Sequence, residues 1–400
     1  MALNWTGSYT YFSNTTISDD ITLVGNTTIN VTFGATVTIT GTISGSYSVT
    51  KEGTGTLILT DTNTYSGGTT VSDGTLYLGY GTATGSIVGD VTVNGALNGT
   101  LIFSRTDDYT FPYNISGTGG VHKYQEGKTI LTCANSYTGG TRVYNGTLQI
   151  GNGSSTTASI GSTSSVNLSG ATSTLRFEPK GDMIFNKVIA GNGKVEYAGA
   201  TAPGAANRRG RLYLGGNNTY SGGTTITNGA IWLSGDGRIT SNIMVNKTFE
   251  DDANLNGSIV FDDSHFTFSG IISGNGDVRV GSESGGNVTF GGVNTYTGNA
   301  CIYKRTLTLD GSGKIENSDI IMYSNSVLDV SAGDKKIKSL NSWDYWDYNC
   351  EVKLGAGKTL TIGTAGEDDG GGYFAGKFTG NGNVTKKGTG ELYPALFSAR

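Results

Sequence analysis

Residues Lys51–Gly79 read KEGTGTLILTDTNTYSGGTTVSDGTLYLG, and the rest of the chain follows from how this stretch is read. Two short runs alternate with period two, Thr56-Leu57-Ile58-Leu59-Thr60 and Thr75-Leu76-Tyr77-Leu78, around a turn-rich middle, Asn63-Thr64-Tyr65-Ser66-Gly67-Gly68-Thr69. That middle returns as Asn135-Ser136-Tyr137-Thr138-Gly139-Gly140-Thr141, as Asn218-Thr219-Tyr220-Ser221-Gly222-Gly223-Thr224, and as Asn294-Thr295-Tyr296-Thr297-Gly298-Asn299. The tyrosines stand 72, 83 and 76 residues apart, which is the signature of a structural repeat.

Composition narrows the class. Gly is 65 of 400 residues while Pro is 4, so the glycines serve tight turns rather than a collagen or linker. Strand-like runs arrive about every eight residues, as in Ile21–Val24, Thr28–Thr32 and Thr36–Thr40, and no window carries a capped 3.6-residue period. The chain reads as all β. A net charge of −5 without a basic run argues against nucleic acid as a partner. No apolar run approaches the ~20 residues of a membrane helix. The start, MALNWTGSYTYFSN, lacks a signal peptide's basic and apolar regions, so export by another route or a longer parent chain is expected. Cys133, Cys301 and Cys350 are too few and too scattered for a disulfide framework or a metal site.

A second phrase opens each unit: Ile43-Ser44-Gly45, Ile115-Ser116-Gly117, Ile189-Ala190-Gly191, Ile272-Ser273-Gly274 and Phe378-Thr379-Gly380. The units so defined lie near 43–79, 115–151, 189–233 and 272–310, with a fifth, 378–392, that stops short of its tyrosine. The combined order, Ile-Ser-Gly, a strand ending in Lys, Gly turns, a Leu-x-Leu strand and then Asn-x-Tyr-[Ser/Thr]-Gly-Gly-Thr, resembles the passenger-associated repeat of bacterial autotransporters. The resemblance covers about half the chain, weakening at Tyr124–Lys128 and Gly298–Cys301. It implies a right-handed parallel β-helix (a β-solenoid) forming a single elongated rod, placed at the cell surface or outside the cell. It also implies a stalk or adhesin-type role, with host-cell or matrix glycans or proteins, or neighbouring β-helix segments of a longer chain, as partners.

Strand chemistry agrees with that fold. Coiled parallel strands repeat at about 4.8 Å, so alternate residues fill a narrow column. Leu57, Leu59, Leu76 and Leu78 are expected inward, with Thr56, Ile58 and Tyr77 outward. The repeated Tyr65, Tyr137, Tyr220 and Tyr296 stand beside Gly67-Gly68, Gly139-Gly140, Gly222-Gly223 and Gly298, and are expected to play a structural part, covering backbone that glycine leaves bare.

Catalytic chemistry is sparse, and no catalytic residue, metal ligand or cofactor is assigned. His122 is expected on a solvated strand position, and His265 lacks a nucleophile elbow beside it. Carboxylates at Glu250–Asp252, Asp262-Asp263 and Glu367–Asp369 invite comparison with polysaccharide lyases and hydrolases, which need acids converging on one groove. A polysaccharide-binding or polysaccharide-degrading β-helix is therefore the alternative function. The segment 334–352, read as an aromatic and acidic loop insertion, places Trp343, Tyr345, Trp346 and Tyr348 among aspartates. Aromatic rings with neighbouring carboxylates suit sugar faces and hydroxyls, which makes these four the candidate binding residues.

Overall fold

A computed structural model of the chain describes residues 2–95, 99–161, 165–199, 210–247, 257–262, 265–281, 286–343, 349–367 and 369–394. Every regular element among them is a β-strand, and the strands pair in parallel as a β-solenoid. The chain forms two compact units, Met1–Lys180 with Lys187–Val195, and Gly181–Asn186 with Glu196–Arg400.

In the first unit, register places equivalent residues of successive turns over one another. One inward ladder runs Val37, Leu57, Leu76, Leu101, Val121, Thr141, Val166, Ile189. The spacing varies, 19 residues between Leu57 and Leu76 and 25 between Leu76 and Leu101, because turns of different length are absorbed at the corners. Leu57, Leu59, Leu76 and Leu78 are all buried, each worth about 1.5–3 kcal/mol of transfer free energy. Thr56 and Tyr77 are partly exposed. Ile58 departs from expectation. It lies on the outer face, in register with Thr38 and Tyr77, yet is only 5 % exposed. Alternation settles which way a side chain points, whereas cover depends on how large the neighbouring rungs' side chains are.

The second unit repeats the arrangement. Leu212, Ile231, Ile259, Val278, Ala300, Ile320 and Leu340 form one inward ladder. Leu214, Leu233, Phe261, Val280, Ile302 and Met322 form the parallel row two residues on. Within the 334–352 segment, Lys335–Ile337 and Ser339–Ser342 are regular strands of the coil and not loop, since Ile337 and Leu340 supply inward rungs.

The repeated Asn explains why the two sequence phrases occur together. Asn63 is buried, its Oδ1 accepts the Ile43 N–H at 2.8 Å, and its Nδ2 donates to the Asp61 and Ser86 carbonyls at 2.9 Å each. One side chain thus joins three turns. Asn135 does the same for Ile115, Cys133 and Ser159, and Asn294 for Ile272, Gly292 and Lys314. The Ile-Ser-Gly phrase supplies a backbone donor that only the next turn's Asn-x-Tyr phrase meets.

The four repeat tyrosines are inside the column. Their hydroxyls meet the threonine four residues on: Tyr65 with Thr69 and Tyr137 with Thr141, both at 2.7 Å, and Tyr220 with Thr224 at 2.5 Å. In the fourth copy that threonine is Ala300, and the buried Tyr296 hydroxyl has no hydrogen bond of good geometry, although Ser318 lies close by. Gly67 approaches the preceding turn so closely that a Cβ would overlap the Tyr47 carbonyl carbon and the Ser48 nitrogen. Gly68 adopts φ +82°, a conformation that side chains disfavour.

Lysines inside the column are the main departure from a simple in-out reading. Lys51 stands between Ile29 and Val71, and Lys123 between Phe103 and Val143, both in inward ladders. Lys51 Nζ donates to the carbonyls of Glu52, Gly53 and Asp73 at 2.8, 2.6 and 3.2 Å, and Lys123 Nζ to those of Tyr124 and Gln125. Lys335 in the second unit is held by the carbonyls of Asp310, Gly311 and Gly313. The ammonium replaces water for corner carbonyls that have turned away from the strand ladder.

Candidate functional site

Convergent acid chemistry is not what the described residues assemble. Asp251, Asp252 and Asp263 lie outside them, and His265 is exposed. His122 is not the solvated residue expected. It is half-buried with its ring 5.8 Å from Tyr144, and burial, with a contribution from Arg142, pushes its pKa down to about 4. A large tyrosine on the next turn is what covers it. Glu367 and Asp369 do line a cavity of about 270 Å³ with Glu316 and Lys338. Asp369 Oδ1 there accepts the Thr364 N–H at 2.6 Å, and Lys338 pairs with Asp319 at 2.8 Å, so these charges hold turns in place. Among the described residues no group of His, Cys, Asp and Glu has the arrangement of a metal site.

The chemistry that does assemble is aromatic, and it sits at one corner of the second unit. The strands Ala300–Ile302, Asp319–Met322 and Ser339–Ser342 lie in register, Ile302 over Met322 over Ser342. The residue after each strand therefore leaves the sheet at the same corner, and these residues are Tyr303, Tyr323 and Trp343. Their rings form a ladder with centroids 5.5 Å apart for Tyr303 and Tyr323, edge to face, and 5.0 Å apart for Tyr323 and Trp343, stacked at 20°. Stacks of this kind contribute about 0.5–1.5 kcal/mol beyond area burial.

The two ends of the ladder differ. At Tyr303 the Arg279 guanidinium lies 4.8 Å from the ring centroid and the Lys304 ammonium 5.3 Å. Lys304 reaches that place from a φ of +52°, one of three such non-glycine residues in the described chain. At the other end no further ring among the described residues continues the ladder. Trp343 is 66 % exposed although its neighbour Tyr323 covers one face. The following turn packs the strand Gly372–Phe374 beside Ser339–Ser342 and continues with Ala375 and Gly376, which carry no ring. The Trp343 N–H is held by the Met322 carbonyl at 2.9 Å and the Ser342 hydroxyl accepts the Ala375 N–H at 3.0 Å, so the base of the indole is fixed. Burial pushes the Tyr323 hydroxyl up to about 12, so the ring beneath stays neutral.

Of the four candidate binding residues, the described structure contains Trp343; Tyr345, Trp346 and Tyr348 lie outside the described residues. Sequence reading missed Tyr303 and Tyr323. The signal was available, because Tyr303, Tyr323 and Trp343 recur at 20-residue intervals, one per turn. A related cluster stands on the first unit, where Tyr124 stacks on Tyr144 at 4.4 Å and Tyr77 joins Tyr80 and Tyr124. Tyr144 and Tyr303 occupy the same place in their repeats, seven residues after Tyr137 and Tyr296.

Comparison with known proteins gives two matches of different kinds. The family model for the passenger-associated-transport-repeat matches residues 49–78, 123–150 and 210–233. Over 416 aligned residues the chain is 28 % identical to the adhesin BmaC autotransporter of Brucella suis biovar 1 (strain 1330). That alignment covers 96 % of this chain and 10 % of the relative, so the chain spans about a tenth of the length of the curated relative it matches. No solved structure matches. The three repeat matches fall on the copies whose tyrosine finds its threonine, and the copy with Ala300 is not among them.

Proposed function

We propose that this chain, an autotransporter-passenger solenoid carrying passenger-associated-transport repeats, works as an adhesin-type interaction surface on or outside the bacterial cell. The observation that carries the reading is the likeness along nearly the whole chain to a segment of an autotransporter named as an adhesin, on a fold that spends its repeated residues on stitching turns together. A parallel coil suits that task physically. Each turn templates the next through its open strand edge, so a long surface can be built from local contacts. Non-catalytic action fits the same picture, because Asp369 and Lys338 in the cleft of about 270 Å³ are engaged by Thr364 and Asp319 of the chain itself. No helix among the described residues is long and apolar enough to cross a membrane.

The test is adherence. Beads coated with the full 400-residue chain are applied to host epithelial monolayers and to matrix-coated wells, beside beads carrying an unrelated β-solenoid. Retention several-fold above the control beads is expected. Retention equal to the control on every surface overturns the reading.

A further inference from the structure

We propose that the tyrosine cluster of the first unit is a binding site for a carboxylated glycan, with sugar rings against Tyr80 and Tyr77 and a carboxylate on Arg142. This rests on the adhesin reading and names a ligand class for that surface.

The site is built on one outer row of the coil. Register places Tyr77, Ile102, His122 and Arg142 over one another, so Tyr77 and Arg142 stand three rungs apart, about 14 Å at the strand spacing. That is the length of a short oligosaccharide rather than of a single sugar. Rings cover the stretch: Tyr80 stands edge to face on Tyr77 at 5.6 Å, Tyr77 meets Tyr124 at 6.1 Å, and Tyr124 stacks on Tyr144. Tyr80 is 62 % exposed, lifted from the strand between two left-handed glycines, Gly79 and Gly81. The chain segments bordering the cluster, 79–85, 104–108, 120–127, 141–147 and 165–173, are all among the described residues.

Two polar side chains in the cluster have no hydrogen bond or ion pair among the described residues. The first is Arg142. Arg105 and Arg176 each pair with a carboxylate two residues on, Asp107 at 2.7 Å and Glu178 at 2.9 Å, whereas two residues on from Arg142 stands Tyr144. Arg142 is exposed, and the carboxylate missing from its pattern is what a ligand would bring, held by two parallel N–H···O bonds from the guanidinium. The second is Gln125. It stands where the first copy has Gly53 and keeps that glycine's left-handed turn, φ +56° against +71°, a conformation that disfavours a side chain. Its amide lies beside Gly81, next to the exposed Tyr80, and is placed to bond a sugar hydroxyl.

Strand topology sets a glycan above a peptide as the occupant. The strands under the row, Thr75–Thr82, Thr100–Arg105, Gly120–Lys123 and Thr141–Val143, are each paired on both sides, so a peptide finds no backbone edge to join. A glycan uses ring faces, hydroxyl partners and, where it carries a carboxylate, a cation. Tyr80, Gln125 and Arg142 are then the contact residues.

Native affinity electrophoresis tests the site, with the full chain run through gels containing hyaluronan, alginate or polygalacturonate and each mobility referred to a polymer-free gel. Carboxyl-reduced forms of the same polymers, neutral galactomannan and dextran sulfate are the comparators. Retardation is expected in at least one carboxylated gel and is lost in its carboxyl-reduced form. Arg142→Ala and Tyr80→Ala each weaken it about tenfold or more, as expected for central anchors. Arg142→Lys recovers only part of the loss, because lysine keeps the charge without the fork. Tyr80 and Arg142 are exposed, so their variants keep the wild-type far-UV spectrum. Gln125→Gly puts back the repeat's glycine. It weakens retardation while leaving the urea midpoint unchanged or raised, so its loss of binding is not a loss of fold. Unchanged mobility in every carboxylated gel overturns the proposal, as does retardation that survives Arg142→Ala or Tyr80→Ala, or that persists undiminished in the carboxyl-reduced polymer. Retardation by dextran sulfate alone, or Arg142-dependent capture of poly-glutamate in place of the glycans, overturns it too. The adherence assay separates the two readings. Beads that adhere while every carboxylated gel is silent leave the adhesin reading standing without this site. Beads that do not adhere while a carboxylated gel retards the chain leave the glycan site standing alone.

Discussion

Replacing Asn63 by Ala tests the feature that holds successive turns together. The cost follows from what each partner loses. The Asp61 carbonyl keeps the Ser86 N–H at 3.1 Å, and the Ser86 carbonyl keeps the Asn63 N–H at 3.0 Å. Those two acceptors therefore lose one of two donors, about 0.5 kcal/mol each at the low end of a hydrogen bond's net worth. The Ile43 N–H is different. It faces the next turn, its acceptor is Asn63 Oδ1, and Ile43 is buried, so its loss costs about 1–3 kcal/mol. The sum is about 2–4 kcal/mol, felt locally because a solenoid opens locally. Hydrogen–deuterium exchange by mass spectrometry on peptides spanning Ile43 should show exchange faster by about 30- to 1,000-fold, at a factor of ten per 1.36 kcal/mol. Asn63→Asp separates the two halves of the side chain. It keeps an acceptor for Ile43 but turns an oxygen toward the Asp61 and Ser86 carbonyl oxygens, so it should be at least as damaging. Exchange at Ile43 within threefold of wild type in Asn63→Ala would refute the stitching role.

Three further outcomes are expected. Ala300→Thr should return a partner to the orphaned Tyr296 hydroxyl and stabilise the second unit by about 1 kcal/mol, whereas Tyr65→Phe should cost about as much by orphaning Thr69; urea midpoints moving the other way in either variant would count against the pairing. Gly67→Ala should destabilise by more than about 2 kcal/mol because backbone must move, while Gly140→Ala, with open space around it and no left-handed φ, should stay within about 0.5 kcal/mol, and equal effects on urea midpoints would be the contrary result. The third concerns pH. Burial lowers the folded pKa of Lys51 and Lys123 from 10.5 to about 8, so both are charged in the column at neutral pH. Their contribution is fully present above pH 10.5 and is lost as pH falls through 8, so stability should rise between those values. The carbonyls around Nζ favour the charged form and so oppose burial, which makes the shift an upper bound on the gain, at most about 3 kcal/mol per lysine. Burial raises the hydroxyls of Tyr65, Tyr137, Tyr220 and Tyr296, and their contribution is present below pH 10 and lost above it. Urea midpoints should therefore peak near pH 10, and a steady fall from pH 7.5 upward would contradict the buried lysines.

Family resemblance and strand chemistry could both be read from the sequence, because the repeat is local. The Asn-x-Tyr-Ser-Gly-Gly-Thr phrase, the Leu-x-Leu strands and the Ile-Ser-Gly openings each fit within a few residues, and strands packed in parallel need a turn at every such interval. Inward Leu57, Leu59, Leu76 and Leu78 followed from alternation alone. The aromatic candidate was legible only in part: Trp343 stood out by composition, while Tyr303 and Tyr323 were ordinary tyrosines until the register placed them under it.

What the tertiary structure decided lies in the contacts between turns. The acceptor for the Ile43 N–H is 20 residues away, and one carbonyl of the ring around Lys51 is 22 residues away. A lysine in a strand pattern reads as solvated, because the sequence does not show a corner whose carbonyls are turned inward. The cover over Ile58 and His122 comes likewise from tyrosines one turn on. Local sequence therefore determined that the chain coils, since backbone pairing and side-chain alternation act over neighbouring residues. Which polar groups are taken inside, and which aromatic rings stack into a ladder, depended on the register between turns, since only the closed coil brings those partners within a few ångströms.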